Sequence, residues 1–305
     1  MVDRHAGIII LDKPVGPTSR AALDMVQRRL RLEALGHAGT LDPLASGVLI
    51  ALIGKATRLQ SAFMDAQKRY TAVVRFGETS PTHDGEVPAT STGIPVPYLE
   101  GTALDALLDQ FRGTIVQVPP MHSAVRIDGK RAWKRARAGE SREPAARSVT
   151  IHRLIRTSVD ATDWTLDVTC GSGTYIRSLA RDLGAALGCG ARLVSLRRTE
   201  ASTFKVEDGV APLRATSDHI IPLDRALAAF PRYDLTAVEA YRLRNGLRIA
   251  LNLAPSEFPS FAWWLGKPWC RLVARAPELV RSDLFVGSDS DMPPLSPADA
   301  RCVQD

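Results

Sequence analysis

The order of apolar and polar residues predicts short elements of both kinds. Gly7-Ile-Ile-Ile-Leu11 is an unbroken β-branched run, too short for a helix, and reads as a buried strand. Val48–Ile53 is a second such run, and Tyr70-Thr-Ala-Val-Val-Arg-Phe76, closed by Gly77, is a third strand. Trp164, Leu166, Val168 and Cys170 alternate with Thr165, Asp167 and Thr169, the period of a strand with one buried face. Helical patterns lie between. After the turn Asp12-Lys-Pro-Val-Gly-Pro-Thr-Ser19, Thr18 or Ser19 caps a helix with an apolar stripe of Leu23, Val26 and Leu30. Thr174 is placed to cap another, with Ile176, Leu179, Ala180, Leu183 and Leu187 facing inward. Gly36–Gly47 reads as a tightly held loop, and Leu235–Arg248 as a last helix and turn ending at Asn245-Gly246.

These elements mix without regular βαβ alternation. The expected fold class is therefore α+β: a mixed, largely antiparallel sheet core with flanking helices and a basic insertion, plus a small C-terminal domain. The expected division is 1–230 and 231–305, with the insertion at about 119–150 and irregular chain after about 249. No repeat at a solenoid period is present.

Composition changes this picture mainly through charge. The 305 residues are 45% hydrophobic and 24% charged, ordinary for a folded chain, with a formal charge of +6. The excess is local. From Arg126 to Arg156 ten Lys and Arg (Arg126, Lys130, Arg131, Lys134, Arg135, Arg137, Arg142, Arg147, Arg153, Arg156) face only Asp128, Glu140 and Glu143. Such a stretch is either a solvated basic surface or a grip on phosphates, and Trp133 among the cations favours the grip, since a ring there can stack on a base. The longest apolar runs fall far short of the ~20 residues of a membrane helix. Met1–Ala6 carries Asp3 and Arg4 and has no signal-peptide core. The four cysteines (Cys170, Cys189, Cys270, Cys302) form no CxxC pair and no metal-ligand spacing, so a reduced, cytoplasmic, zinc-free protein is expected. Gly171-x-Gly173 lacks the third glycine or lysine of a nucleotide loop.

The most informative segment is Gly36-His-Ala-Gly-Thr-Leu-Asp-Pro-Leu-Ala-Ser-Gly47. Three glycines and a proline fix an unusual path carrying an imidazole, a hydroxyl and a carboxylate. A polar surface turn is one reading. The segment runs straight into a buried strand, however, so Asp42 should lie at the core edge, where a carboxylate must find a partner. A partnered carboxylate in a cleft is a nucleophile or base. His83 and Asp84, in Ser80-Pro-Thr-His-Asp-Gly85, read as a turn and are assigned no chemistry.

The twelve residues Gly36–Gly47 closely resemble the catalytic motif of the TruB family of tRNA pseudouridine-55 synthases. Further blocks resemble that family in the same order: Leu11–Ser19, Lys68-Arg-Tyr70, Val118-Pro-Pro-x-His-Ser-Ala124, Gly171–Arg177, and Gly188–Leu193 with Leu196-Arg-Arg198. The resemblance covers about residues 7–210. It implies that Asp42 is the catalytic aspartate and that Arg177 pairs with it. It implies that Tyr70 is the active-site tyrosine that stacks on the target base, with Tyr175 in the motif of Arg177. His37 would help receive the opened RNA loop, Leu196 would line the uracil pocket, and Lys13 and Pro14 would mainly support it. His122, Arg126, Trp133 and Ala201 stand where the family usually has Tyr or Phe, Lys, Tyr and Gly, departures that bear on RNA contacts more than on chemistry. The basic patch of Arg126, Lys130, Arg131, Lys134 and Arg135 is expected on the RNA.

The implied activity is isomerisation of uridine to pseudouridine in the tRNA T-loop, after extrusion of the base. It requires no cofactor and no metal. The implied partner is the tRNA T-arm, met by a monomer with no guide RNA and no membrane. Arg177 is expected to keep the pKa of Asp42 low. An RNA chaperone would need the basic insertion and His37 but neither Asp42 nor Arg177, and a guide-RNA-dependent synthase would leave an isolated T-arm unmodified.

Overall fold

The unbroken apolar runs are strands with both faces covered. In the computed structural model, which describes residues 6–123, 125–140, 143–251, 260–276 and 279–285, they form β1 (Gly7–Lys13) and β3 (Ala45–Ile53). Ile9, Leu11, Leu49, Ala51 and Ile53 enter one core, while Ile8, Ile10, Val48, Ile50 and Leu52 enter a second on the opposite face. Two buried faces remove the polar half of the alternation, which is why these strands read as continuous hydrophobic runs.

β1 and β3 belong to a ten-stranded sheet. Its other members are β2 (Leu35–Ala38), β4 (Lys68–Phe76), β7 (Gly113–Gln117), β10 (Arg147–Asp160), β11 (Asp163–Cys170), β12 (Ala191–Ala201), β13 (Phe204–Lys205) and β14 (Ile221–Pro222). The order is β14-β1-β3-β12-β4-β11-β10-β7, with β2 beside β3 and β13 beside β12. Among these strands the pairings are antiparallel, apart from parallel β3 and β12. The mixed, largely antiparallel α+β expectation holds. Small hairpins pair β5 (Glu78–Thr79) with β6 (Thr90–Ser91), and β8 (Arg126–Ile127) with β9 (Lys130–Arg131).

The first core is closed by α1 (Ser19–Leu30), through Ala22, Leu23 and Val26, and by α5 (Ile176–Ala186), through Ile176, Leu179, Ala180 and Leu183. Helix α3 (Gly101–Asp109) adds Leu107 and Leu108. The second core lies under α2 (Gln60–Met64) and α6 (Leu223–Ala226). Helix α4 (Ala132–Arg137) follows the β8–β9 hairpin in the insertion. Thr18 caps α1 by accepting from the Ala21 N–H at 3.1 Å. Thr174 does not cap α5. Its hydroxyl donates to the Gly171 carbonyl, and Gln117 holds the helix start by accepting from Tyr175 N–H at 2.8 Å and donating to the Tyr175 carbonyl at 3.1 Å.

Two expectations are corrected. Gly36–Gly47 is not all loop, because residues 35–38 fold back on β3 with His37 opposite Ala51. Only residues 39–44 lie between strands. The chain beyond 249 is not irregular either. A five-stranded sheet combines β15 (Arg232–Asp234), β17 (Ser260–Trp264), β18 (Lys267–Ala276), β19 (Leu279–Phe285) and β16 (Ile249–Ala250), beside α7 (Ala237–Arg244). All five residues of β17 are buried, so no alternation marks them. Pro268 sits beside a register shift between Ala262 and Trp263, where a bulge tolerates the missing N–H. The tail Gly287–Asp305, with Cys302, lies outside the described residues.

Candidate active site

The segment carrying Asp42 is pinned from both sides. Ser19 at the start of α1 donates its hydroxyl to the Leu41 carbonyl at 2.9 Å and accepts from the Leu41 N–H at 2.7 Å. Gly16 N–H donates to the Pro43 carbonyl at 2.8 Å, and Ala45 N–H to the Asp42 carbonyl at 3.0 Å. Gly47 then lets β3 press on β12: it has φ +101°, and a Cβ there would lie 2.1 Å from the Arg198 carbonyl oxygen.

This path brings Asp42 to Arg177, in the first turn of α5. Asp42 Oδ2 is 3.0 Å from Arg177 Nε, with the aspartate side chain 35% exposed and the arginine 5%. The rest of the guanidinium is bound from behind. Nη2 donates to the His122 carbonyl at 2.8 Å, Nη1 to the Thr82 carbonyl at 3.3 Å, and Nη1 is 3.3 Å from Asp84 Oδ2. Asp84 is buried, and its Oδ1 accepts from the Thr82 hydroxyl at 2.5 Å and from Glu86 N–H at 3.0 Å. The expectation that Arg177 holds the pKa of Asp42 low is corrected. Burial raises it above the ordinary carboxylate value, Arg177 opposes this, and Asp84 adds to the rise.

Lys13 is buried beside this pair and donates from Nζ to the Pro14 and Pro17 carbonyls at 2.9 and 2.7 Å. Burial lowers its pKa to about 8 against the pull of Asp42 and Glu86. It braces the turn before α1. Tyr70 on β4 and Leu196 on β12 are buried on adjacent strands, with Tyr70 opposite Arg198 and Leu196 opposite both Ala72 and Ala45. Burial pushes the Tyr70 pKa up, and the Arg198 charge opposes this.

His37 sits on β2, its carbonyl accepting from Gln60 Nε2 at 2.9 Å. Its Nδ1 is buried with no hydrogen-bond partner among the described residues, and burial and then Arg198 and Arg20 depress its pKa. Tyr175 precedes α5 with the Arg147 guanidinium 4.8 Å above its ring. In the insertion, Lys130 and Lys134 are exposed, Lys134 Nζ lying 5.6 Å from the Trp133 ring centre. Arg135 instead turns inward, 14% exposed, with Nη1 2.5 Å from Glu140, Nη2 3.5 Å from Asp128 and Nε donating to the Ile127 carbonyl at 3.2 Å. It braces the hairpin. The side chains of Arg126 and Arg131 lie outside the described residues.

Sequence reasoning missed Asp84 and Arg198. Asp84 lies in a segment whose Pro, Asp and Gly are ordinary turn chemistry, and its partner Arg177 is distant in sequence. Arg198 carried a usable signal: two residues after Leu196 on a strand, it must share that residue's face.

Residues 27–176 match the family model described as TruB family pseudouridylate synthase (N terminal domain), and residues 177–228 match the tRNA pseudouridylate synthase B C-terminal domain. The chain is 43% identical over 258 residues to a Cupriavidus metallidurans protein named tRNA pseudouridine synthase B, covering 82% of each. It is 40% identical over 293 residues to a Cereibacter sphaeroides protein of the same name, covering 92% of this chain and 96% of the relative. Its fold is similar to that of a chain in the crystal structure of a Cbf5-Nop10-Gar1 complex, with a TM-score of 0.73 and 24% identity over 96% of this chain and 88% of that one.

Proposed function

We propose that this chain, which belongs to the TruB family of pseudouridylate synthases and is a tRNA pseudouridine synthase, acts on uridine 55 of the T-loop with Asp42 as its reacting carboxylate and with no cofactor. The reaction balances within one nucleotide. The N1–C1′ bond breaks, the uracil turns, a C5–C1′ bond forms, C5 gives up its proton and N1 gains one. No electrons are exchanged with another molecule. A single carboxylate has three routes: attack on ribose C1′, addition at base C6, or assisted elimination toward a glycal. Each needs Asp42 ionised, and its contact with Arg177 favours that form while burial opposes it.

The supporting residues follow from this. Asp84 and two backbone carbonyls fix the far edge of Arg177, so the guanidinium presents Nε to Asp42 without following the substrate. Tyr70 and Leu196 wall the detached uracil. A stacked uridine does not reach a carboxylate set at the base of the 39–44 loop, so the nucleotide must swing out, at a cost of a few kcal/mol. His37 at the neighbouring strand end and Tyr175 beside the start of α5 take up the opened loop. Exposed Lys130 and Lys134 hold its phosphates. The partner is the tRNA T-arm, bound by a monomer without a guide RNA in the cytoplasm, and residues 231–305 add a small RNA-binding, PUA-like domain. Among the described residues no helix is long and apolar enough to cross a membrane.

The observation that carries the reading is a half-exposed carboxylate held 3.0 Å from a buried guanidinium that is itself fixed from behind. Purified protein and a synthetic T-arm test it. The wild type is expected to form pseudouridine unaided, and Asp42→Asn to form none while binding the RNA as tightly. Loss of binding with activity makes Asp42 structural, and a requirement for added RNA overturns stand-alone action.

A further inference from the structure

Arg198 is 1% exposed and among the largest fully buried side chains of the described residues. Its Nε donates to the Val48 carbonyl at 2.7 Å and its Nη2 to the Gly39 carbonyl at 3.0 Å. Tyr70 on β4 is its cross-strand neighbour. Among the described residues no carboxylate forms an ion pair with Arg198, and Lys13, Lys68 and His37 each feel it as a repelling cation. A buried cation without a counter-ion is a poor stabiliser, and an apolar side chain of this volume would serve packing better. What an apolar chain cannot do is satisfy two backbone acceptors at once from one rigid planar fork.

The two acceptors lie on either side of Asp42. Gly39 opens the loop that carries Asp42, Val48 lies on the strand that leaves it, and Tyr70 pairs with Arg198 from β4. The loop is pressed onto the fork, since a Cβ on Gly39 would lie 3.3 Å from Nη1.

We propose that Arg198 is a positioning residue for the isomerisation, which ties the start of the loop carrying Asp42 to β3 and so fixes the aspartate relative to Tyr70, the cross-strand neighbour of Arg198. This role rests on the reading of Asp42 and Tyr70 given above.

Single-turnover rates on the T-arm, with RNA affinities and thermal unfolding, test it in Arg198→Met and Arg198→Lys. The Met variant is expected to lose about a hundredfold in rate, the scale of a misplaced reacting group, with RNA affinity within about twofold of wild type. The Lys variant should recover part of the rate. A folded Met variant with wild-type rate, or one whose RNA affinity falls as far as its rate, overturns the assignment. If the Met change prevents folding, Lys takes its place and is read the same way. Asp42→Asn separates the two readings. If it is inactive while Arg198→Met is normal, only the positioning role falls, and if it is active the functional reading falls first.

Discussion

Asp42 stands between opposing influences. Burial and the buried Asp84 carboxylate favour its neutral form, Arg177 and Lys13 favour its charge, and burial wins. A carboxyl whose folded pKa lies above its unfolded value contributes stability at pH below the ordinary carboxylate range and loses it as pH rises through the folded pKa. At neutral pH the ionised form is therefore a burden on the fold. Asp42→Asn should melt at or above the wild-type temperature near pH 7, with the gap closing on acidification, a result that calorimetry across pH checks. Asp84→Asn removes one cause of the raised pKa and loosens Arg177. The acid limb of the pH–rate profile should move to lower pH while the plateau rate falls by about a hundredfold. The pairing of Asp42 with Arg177 was legible in the sequence because a distinctive motif carried each. Asp84 was not, because five ordinary turn residues surround it. Nor was the direction of the Asp42 shift, because burial is a property of the fold and not of the motif.

At the scale of elements, the site depends on one close approach. β12 lies parallel to β3, and Gly47 is the point of contact. Gly47→Ala would combine a strained positive φ with a methyl group driven into backbone. Urea unfolding should show a loss of about 1–3 kcal/mol or more. Strands β1, β3, β4 and β11 of the main sheet and both helices flanking it, α1 and α5, were legible from period and run length. The helix start at residue 176 was misread because a side chain from β7, far away in sequence, does the capping. The late strands were misread because full burial erases alternation, and a proline at a bulge resembles a strand breaker.

At the scale of the molecule, the excess positive charge is concentrated by pairing elsewhere. Arg69 with Asp167, Arg75 with Asp163, Arg192 with Glu78 and Arg197 with Asp12 neutralise much of the main sheet's surface. Lys130 and Lys134 have no carboxylate partner among the described residues. Changing both to Ala should flatten the dependence of log K on log salt by about 1.4–1.8, at ~0.7–0.9 per phosphate contact, as salt titrations of RNA binding would show. The two sheets share one core, where Phe230 packs edge-on to both Phe63 at 5.5 Å and Phe261 at 5.3 Å. Phe261→Ala should cost about 3–5 kcal/mol, lowering the melting temperature of the whole chain and not of the late strands alone. The joining of Asp42 to Arg177 has a consequence for synthesis. The acid leaves the ribosome early and its guanidinium much later, and β3 waits as long for its parallel neighbour. A nascent chain therefore cannot bring this acid and its guanidinium together until more than half of it has been translated.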